Sequence, residues 1–346
     1  MKERILIVTS SLDIEWMKGF ARFTNEMIKI LKSKYDIEVC EINRNRKKEY
    51  FRCFLDIPLI EFKSKAKVIV SITPEGAIFT SFIPGKKTIV TFHDFFHLSA
   101  KYKNIFGEII GKIFMWLAYK FSSCNYILVS NSSQTANELK MLFGKESEVI
   151  NQGVDINRFK PLKFKKLKES IKLGFLSNFS YRKGADIAVE IYNKLKNKIN
   201  CQLILAGGKL ENSLQIQFEF QNLLNDKNVK ILGRIPDKDV PKLYNSFDFF
   251  LFPSRAEGFG LPILEAAACG IPVFTLKSAH IPEEVKKASI VCKDEDEIVE
   301  KIIELSKNKK LYDKIRFEKM KYARKFTWDK CVNEYDKLIQ KCFLHK

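Results

Sequence analysis

Two glutamates eight residues apart, Glu257 and Glu265, stand in the segment PSRAEGFGLPILEAAACGIPV, residues 253–273. A strand ends at Pro253, a glycine-rich turn carries Glu257, and Pro262 falls where a first helical turn tolerates a residue without an N–H. Glu265 lies on that helix. The backbone N–H groups of Phe259, Gly260 and Leu261 then sit at the positive end of the helix, suited to a polar ligand. Elsewhere, TFHDFFHL (91–98) puts His93 and Asp94 at a strand end, with His97 beyond. Taken alone, such a histidine is a structural hydrogen-bonding residue. Asp237–Asp239 and the DEDE run at 294–297 offer carboxylates, but in charged, loop-like sequence they read as solvated caps, not as a metal site.

The elements that must position these groups alternate. A nearly continuous apolar run at 4–10 reads as a buried parallel strand. Gly19 opens a helix whose Phe20, Phe23, Met27, Ile30 and Leu31 share a face, and IEVCEI follows as a strand. Strand patterns recur near 67–72, 87–94 and 125–133, with a helix at 133–143. A second series begins at 171: strands near 171–179, 202–208, 228–234, 248–254 and 271–276, with helices at 185–195, 240–246 and 262–269. This α/β alternation predicts two doubly wound, Rossmann-like domains facing a cleft. The expected boundaries are 1–160 and 161–326, with a charged linker at 161–170. A terminal amphipathic helix, about 327–346, carries Trp328, Val332, Tyr335 and Leu338/Ile339 on one face and returns to the first domain.

Composition narrows the class. The chain has 346 residues, 46% hydrophobic and 29% charged, which excludes disorder and a multi-span membrane protein. Lys plus Arg outnumber Asp plus Glu 60 to 41, a net charge of +19 spread over both halves. The excess suits an anionic partner or a lysine-rich solvated surface. Eight scattered cysteines without metal-ligand spacing read as reduced, cytosolic thiols. The apolar part of the opening residues, MKERILIVTSSLD, is too short for a signal-peptide core and reads as the first strand. No stretch reaches 18 uninterrupted apolar residues. The expected location is cytoplasmic, with a peripheral option on the inner membrane face. That option rests on Arg44, Arg46, Lys47, Lys48, Arg52, Lys63, Lys65 and Lys67, and on the apolar helix pattern 105–121, whose alternative is burial.

The 253–273 segment resembles the E-x7-E motif of retaining glycosyltransferases of the GT-B fold, specifically glycosyltransferase family 4 and its mannosyltransferase-like branch. SNFSYRKGAD (177–186) resembles the same family's G-R-x-x-x-x-K-G stretch, with Lys183 and Gly184 matched and Asn178 standing where the family has Arg. INQGVDINRFKP, KSAHIPEEV and the closing FTWDKCVNEY also resemble family segments in order. The resemblance implies a nucleotide-sugar donor, GDP- or UDP-linked, acting as co-substrate with no resident cofactor and no metal. It implies that Glu265 holds the ribose hydroxyls, Glu257 contacts the donor sugar, and Lys183 binds the diphosphate. Gly19, Asn178, Gly184, Ile235, Phe259, Gly260 and Leu261 join the donor side. His93 faces the sugar, and Asp94 orients His93 or the acceptor. The implied reaction moves a hexose with retention to a sugar, glycan or lipid-linked acceptor bound mainly by the first domain. An epimerase of the same fold and a basic, non-catalytic nucleic-acid-binding protein are the competing classes. The second has no motif behind it beyond charge.

Overall fold

The structure, a computed structural model, describes residues 2–13, 18–42, 56–95, 105–123, 127–162, 167, 169–208, 223 and 225–344, without the side chains of 18, 105–111 and 114. The expectations for Arg44, Arg46, Lys47, Lys48, Arg52 and His97, and for part of the 161–170 linker, lie outside the described residues. The chain divides into two units, Met1–Gly153 with Trp328–Lys346, and Val154–Thr327.

In the first unit six parallel strands run β1 (Arg4–Thr9), β2 (Asp36–Glu41), β3 (Val68–Ser71), β4 (Lys87–Phe92), β5 (Ile127–Ser130) and β6 (Glu148–Val149). Their order across the sheet is β2-β1-β3-β4-β5-β6. From Ile5 on, β1 is buried throughout, as is all of β3, which explains why these strands read as apolar runs without alternation. Helix α1 (Lys18–Leu31) buries Phe23, Met27 and Leu31 against this sheet, with Phe20 and Ile30 half covered. Short α2 (Ile57–Lys63), α3 (Ile105–Ser122) and α4 (Ser133–Phe143) complete the crossovers. Ser132 caps α4 by accepting from the Thr135 N–H, and Gly144 ends it in the left-handed region.

The all-apolar pattern at 105–121 resolves, over its described side chains, into two faces. Met115, Ala118 and Tyr119 are buried, while Ile113 and Trp116 are exposed and Lys120 lies over the Trp116 ring at 4.6 Å.

The second unit repeats the plan with β7 (Ile171–Leu176), α5 (Ala185–Lys196), β8 (Cys201–Ala206), β9 (Val229–Gly233), α6 (Val240–Ser246), β10 (Phe249–Leu251), α7 (Leu261–Ala268), β11 (Val273–Leu276), α8 (Glu283–Lys286) and β12 (Ile290–Cys292). The parallel order is β12-β11-β10-β7-β8-β9. Helices α9 (Glu295–Lys307) and α10 (Lys309–Ala323) follow, and neither was read from the sequence. The acidic run is the start of α9. Asp294 accepts from the Glu297 N–H as N-cap, and Glu295, Asp296 and Glu297 fill the first turn, where negative charge is favoured. Asp237 is held by Arg158 at 2.6 Å in a 3-10 turn.

Helix α11 (Trp328–Leu344) belongs to the first unit, where Trp328, Val332, Tyr335 and Ile339 join the core formed with α1 and the sheet. Tyr335 Oη lies 2.9 Å from Thr91 Oγ1 on β4, and Asp336 accepts from the Tyr35 hydroxyl at 2.7 Å and from Lys34 at 2.6 Å. Six described cysteines are free and buried. Burial pushes Cys201 up to about 11 and Cys269 up to about 12, so these thiols stay protonated and serve as core residues.

Candidate functional site

In a doubly wound sheet, ligands bind beyond the carboxyl ends of the strands where the winding direction reverses. In the second unit that point lies between β7, whose successors β8 and β9 run to one side, and β10, whose successors β11 and β12 run to the other. The loop after β7 carries Asn178, Arg182, Lys183 and Gly184. The loop after β10 carries Ser254, Arg255 and Glu257. Two loops far apart in sequence are thereby placed side by side.

They are joined by named bonds. Arg255 N donates to Arg182 O at 2.9 Å, Ser254 Oγ lies 3.2 Å from the same carbonyl, and Arg182 Nη1 donates to Ala256 O at 2.9 Å. Arg255 pairs with both carboxyl oxygens of Asp186 at 2.9 and 2.7 Å and stacks on Tyr181 with its guanidinium 3.6 Å from the ring centre. At the centre Lys183 Nζ lies 2.7 Å from each oxygen of Glu257. Ser254 Oγ donates to Glu257 Oε1 at 2.6 Å, and Arg182 Nη1 stands 3.8 Å from Glu257 Oε2. Two of the expected site residues, 74 positions apart, are therefore one cluster.

Gly184 ends the β7 loop at φ 70°, and a Cβ there would lie 2.1 Å from the Pro253 carbonyl oxygen. Only glycine satisfies both conditions, which explains the Lys-Gly pair as a packing requirement. Helix α5 starts at the next residue, so its positive end adjoins Lys183. Asn178 is exposed, with its Oδ1 2.7 Å from the place a Cβ on Gly208 would take.

Beyond β10, Gly260 at φ 103° turns the chain into α7. Phe259 is buried with its ring against Phe326, so its side chain is core. Leu261 and Ile235 are half buried against the same core. Glu265, 5% exposed, accepts from the Tyr244 hydroxyl at 3.0 Å. Burying a carboxylate requires such a partner. The 277–285 segment runs beside the Glu257 loop, with Glu257 N donating to His280 O at 2.9 Å. Tyr244, Ser254 and Arg255 were not singled out in the sequence. Ser254 stands three residues before Glu257 inside the recognised motif. Tyr244 approaches from another helix and has no local signal.

In the first unit the reversal falls between β1 and β3. Gly19 sits in the first turn of α1 after β1, exposed, with nothing within 4 Å of a Cβ added there. His93 follows β4. Its Nε2 lies 2.9 Å from Ile72 O and its Nδ1 lies 3.0 Å from Gln152 Nε2, and Phe20 meets the ring edge-on at 4.7 Å. Burial pushes the imidazole down to about 4, against the Ile72 hydrogen bond. Gln152 is thus the partner on Nδ1, and the backbone carbonyl of Asp94 accepts from the Tyr119 hydroxyl at 3.2 Å.

Among the described residues no group of three or more His, Cys, Asp or Glu stands ready for a metal, and no helix is long and apolar enough to cross a membrane.

Residues 157–324 match the family model for Glycosyl transferases group 1. The O-antigen chain mannosyltransferase B of Escherichia coli is 35% identical over 108 residues, covering 31% of this chain and 28% of that one. The GDP-mannose-dependent monoacylated alpha-(1-6)-phosphatidylinositol monomannoside mannosyltransferase of Corynebacterium glutamicum is 31% identical over 205 residues, 52% of each chain. The matches thus span between about a quarter and a half of these relatives' lengths. A sucrose-phosphate synthase from Thermosynechococcus elongatus superposes on all of this chain with a TM-score of 0.78 at 12% identity. The fold is the two-domain α/β GT-B fold. The group 1 match lies within the second unit, and it agrees with the resemblance to family 4 read from the motifs.

Proposed function

We propose that the chain is a retaining, metal-independent hexosyltransferase that draws on a nucleotide-diphosphate sugar. The second unit takes the donor, and the first takes a glycan or lipid-linked acceptor. The observation that carries this reading is the Lys183–Glu257 contact at the strand reversal of the second unit, with Glu265 eight residues on. The names of the relatives, both mannosyltransferases and one dependent on GDP-mannose, make GDP-mannose the first donor to test.

The chemistry follows from charge. Breaking the bond between the anomeric carbon and the diphosphate builds negative charge on the leaving oxygen and positive charge on the ring. Groups aimed at both stabilise the transition state more than the ground state. Lys183 and the start of α5 serve the phosphate, at roughly 2–4 kcal/mol for a well-placed donor. Glu257 exchanges Lys183 for sugar hydroxyls and opposes the growing positive charge. Glu265, oriented by Tyr244, takes the ribose hydroxyls. The leaving phosphate oxygen accepts the acceptor's proton, so attack occurs on the face the leaving group vacates and the anomeric configuration is kept. The proposal includes a contact between basic residues of the first unit and an anionic membrane surface.

The test is a transfer reaction with GDP-mannose and a panel of glycan and lipid-linked acceptors, read by the one-bond carbon–proton coupling at the anomeric centre of the product. An α-linked product formed equally well in excess EDTA supports the proposal. An inverted product, or activity abolished by EDTA and restored by manganese, rejects it.

A further inference from the structure

We infer that Lys286 is a positioning residue for Glu257, acting through the peptide unit between Ala279 and His280. Its effect on donor binding rests on the donor reading above, whereas the mechanical link does not. Lys286 ends α8 and is 5% exposed. Burying an ammonium group is unfavourable unless its hydrogens are received. Lys286 Nζ has three N–H donors and finds three acceptors: Ala279 O at 2.9 Å, Glu283 Oε1 at 3.1 Å and, more loosely, Lys277 O at 3.4 Å.

Two of those acceptors are carbonyls of the segment leading into α8, and one of them reaches the Glu257 loop through a rigid link. Ala279 O and His280 N belong to one planar peptide, whose C=O and N–H point opposite ways. Lys286 Nζ holds the carbonyl end, while the N–H end donates to Arg255 O at 2.8 Å. His280 O, one peptide on, accepts from Glu257 N at 2.9 Å, in a parallel bridge between Ala256 and His280. Turning the Ala279–His280 peptide therefore moves both backbone bonds that flank Ala256 and set where the Glu257 carboxylate stands. Hydrogen bonds joined head to tail through a peptide also polarise one another.

The lysine itself has a fixed footing. Its backbone carbonyl accepts from Ser289 N at 2.9 Å and from Ser289 Oγ at 2.7 Å, and that hydroxyl lies 2.7 Å from Thr275 Oγ1 on β11. Lys286 thus ties the sheet to the Glu257 loop by a route separate from the Lys183 and Ser254 bonds to the carboxylate. Val285 and Ile281 stand 3.4 and 3.7 Å from the place a Cβ on Gly260 would take, so the same segment also backs the turn into α7. Methionine, unbranched and of similar length, fills the lysine's space without its donors and so removes the link with little change in packing.

The test compares wild type with Lys286→Met, Lys286→Arg, Glu257→Gln and Lys286→Met/Glu257→Gln, each checked for folding by circular dichroism. Hydrogen–deuterium exchange is read without nucleotide, and calorimetry gives the affinity ratios of GDP-mannose to GDP and of UDP-glucose to UDP. Lys286→Met is expected to speed exchange about tenfold over residues 255–260 and to leave β3 and β4 unchanged. For the pair that wild type binds, it is expected to lower the ratio about fivefold, with free-nucleotide affinity within about twofold of wild type. The double variant is expected to match Glu257→Gln alone, because both changes act on one carboxylate, and Lys286→Arg, which keeps the donors, to fall between Lys286→Met and wild type. Should Lys286→Met not fold, Lys286→Gln, which still donates but stops short of Ala279 O, takes its place with the same expectation. Wild-type exchange over 255–260, a wild-type ratio, or losses that multiply in the double variant overturn the inference. A ratio unchanged in Glu257→Gln, or no nucleotide binding by wild type, rejects the donor reading instead, and the exchange result then decides the link between Lys286 and Glu257.

Discussion

Gln152 Nε2 lies 3.0 Å from His93 Nδ1, the ring nitrogen that carries no proton. A carbonyl only accepts, so Nε2, 2.9 Å from Ile72 O, holds the hydrogen, and Nδ1 accepts from the amide. Both ring nitrogens are thus engaged within the first unit, and any polar contact from His93 to a sugar must displace one of these partners. With burial pushing the ring down to about 4, His93 is neutral across the physiological range. The native state binds fewer protons than the unfolded state between about pH 6.5 and 4, so the His93 contribution is complete above 6.5 and is lost as pH falls through that window. Urea unfolding is expected to show about 3 kcal/mol lost between pH 7 and 4 that His93→Gln does not lose. Nitrogen chemical shifts are expected to show Nε2 protonated, and Gln152→Leu to shift ring titration.

Glu61 behaves in the opposite sense. It is 1% exposed on α2, with Thr80 Oγ1 3.0 Å from both carboxyl oxygens. Burial raises it to about 8, against the Thr80 hydrogen bond and the Lys86 charge. The folded state then holds a proton that the unfolded state has released, so this contribution is present below about pH 4.5 and is lost as pH rises through 8. Glu61→Gln is expected to match wild type near pH 5 and to gain about 1–3 kcal/mol over it at pH 9, read from denaturant midpoints.

Gly184→Ala places a Cβ 2.1 Å from a backbone oxygen at a positive φ. Because the contact is with backbone, the β7 and β10 loops must separate. The expected cost is about 2–4 kcal/mol, with loss of donor binding. A thermal midpoint within a degree or two of wild type contradicts the packing argument.

Tyr335→Phe removes only the hydroxyl beside Thr91 and keeps the ring against Phe23 at 5.5 Å. The expected loss is about 1–2 kcal/mol, because Thr91 is left buried without that partner. Trp328→Ala, which empties part of the core shared by α1 and α11, is expected to cost about 3–5 kcal/mol.

Ten of the twelve described strands were legible, most of them because buried strands leave apolar runs, while the short edge strands β6 and β12 were not. Helices α9 and α10 were not, since their buried residues are sparse among lysines and glutamates and DEDE looks like loop until Asp294 is seen capping. In the site, Glu257, Glu265, Lys183 and Gly184 stood in motifs with fixed spacing. Tyr244 and Gln152 come to their partners through the tertiary fold, from 21 and 59 residues away, whereas Ser254 stands three residues before Glu257 inside the motif. Nothing in local sequence pairs Gln152 with His93. The meeting of Lys183 with Glu257 likewise depends on β7 and β10 being neighbours, a contact across 74 residues that periodicity does not encode.

The central claim, that the second unit holds a nucleotide-sugar donor through Lys183 and Glu265, is tested most directly by thermal shift with GDP-mannose, UDP-glucose, UDP-N-acetylglucosamine and UDP-galactose. The panel sets wild type beside Lys183→Ala and Glu265→Ala. The account predicts that one donor raises the wild-type midpoint by several degrees at saturating concentration and leaves both variants unmoved. A donor that stabilises the two variants as strongly as wild type, or no donor that stabilises wild type, contradicts it.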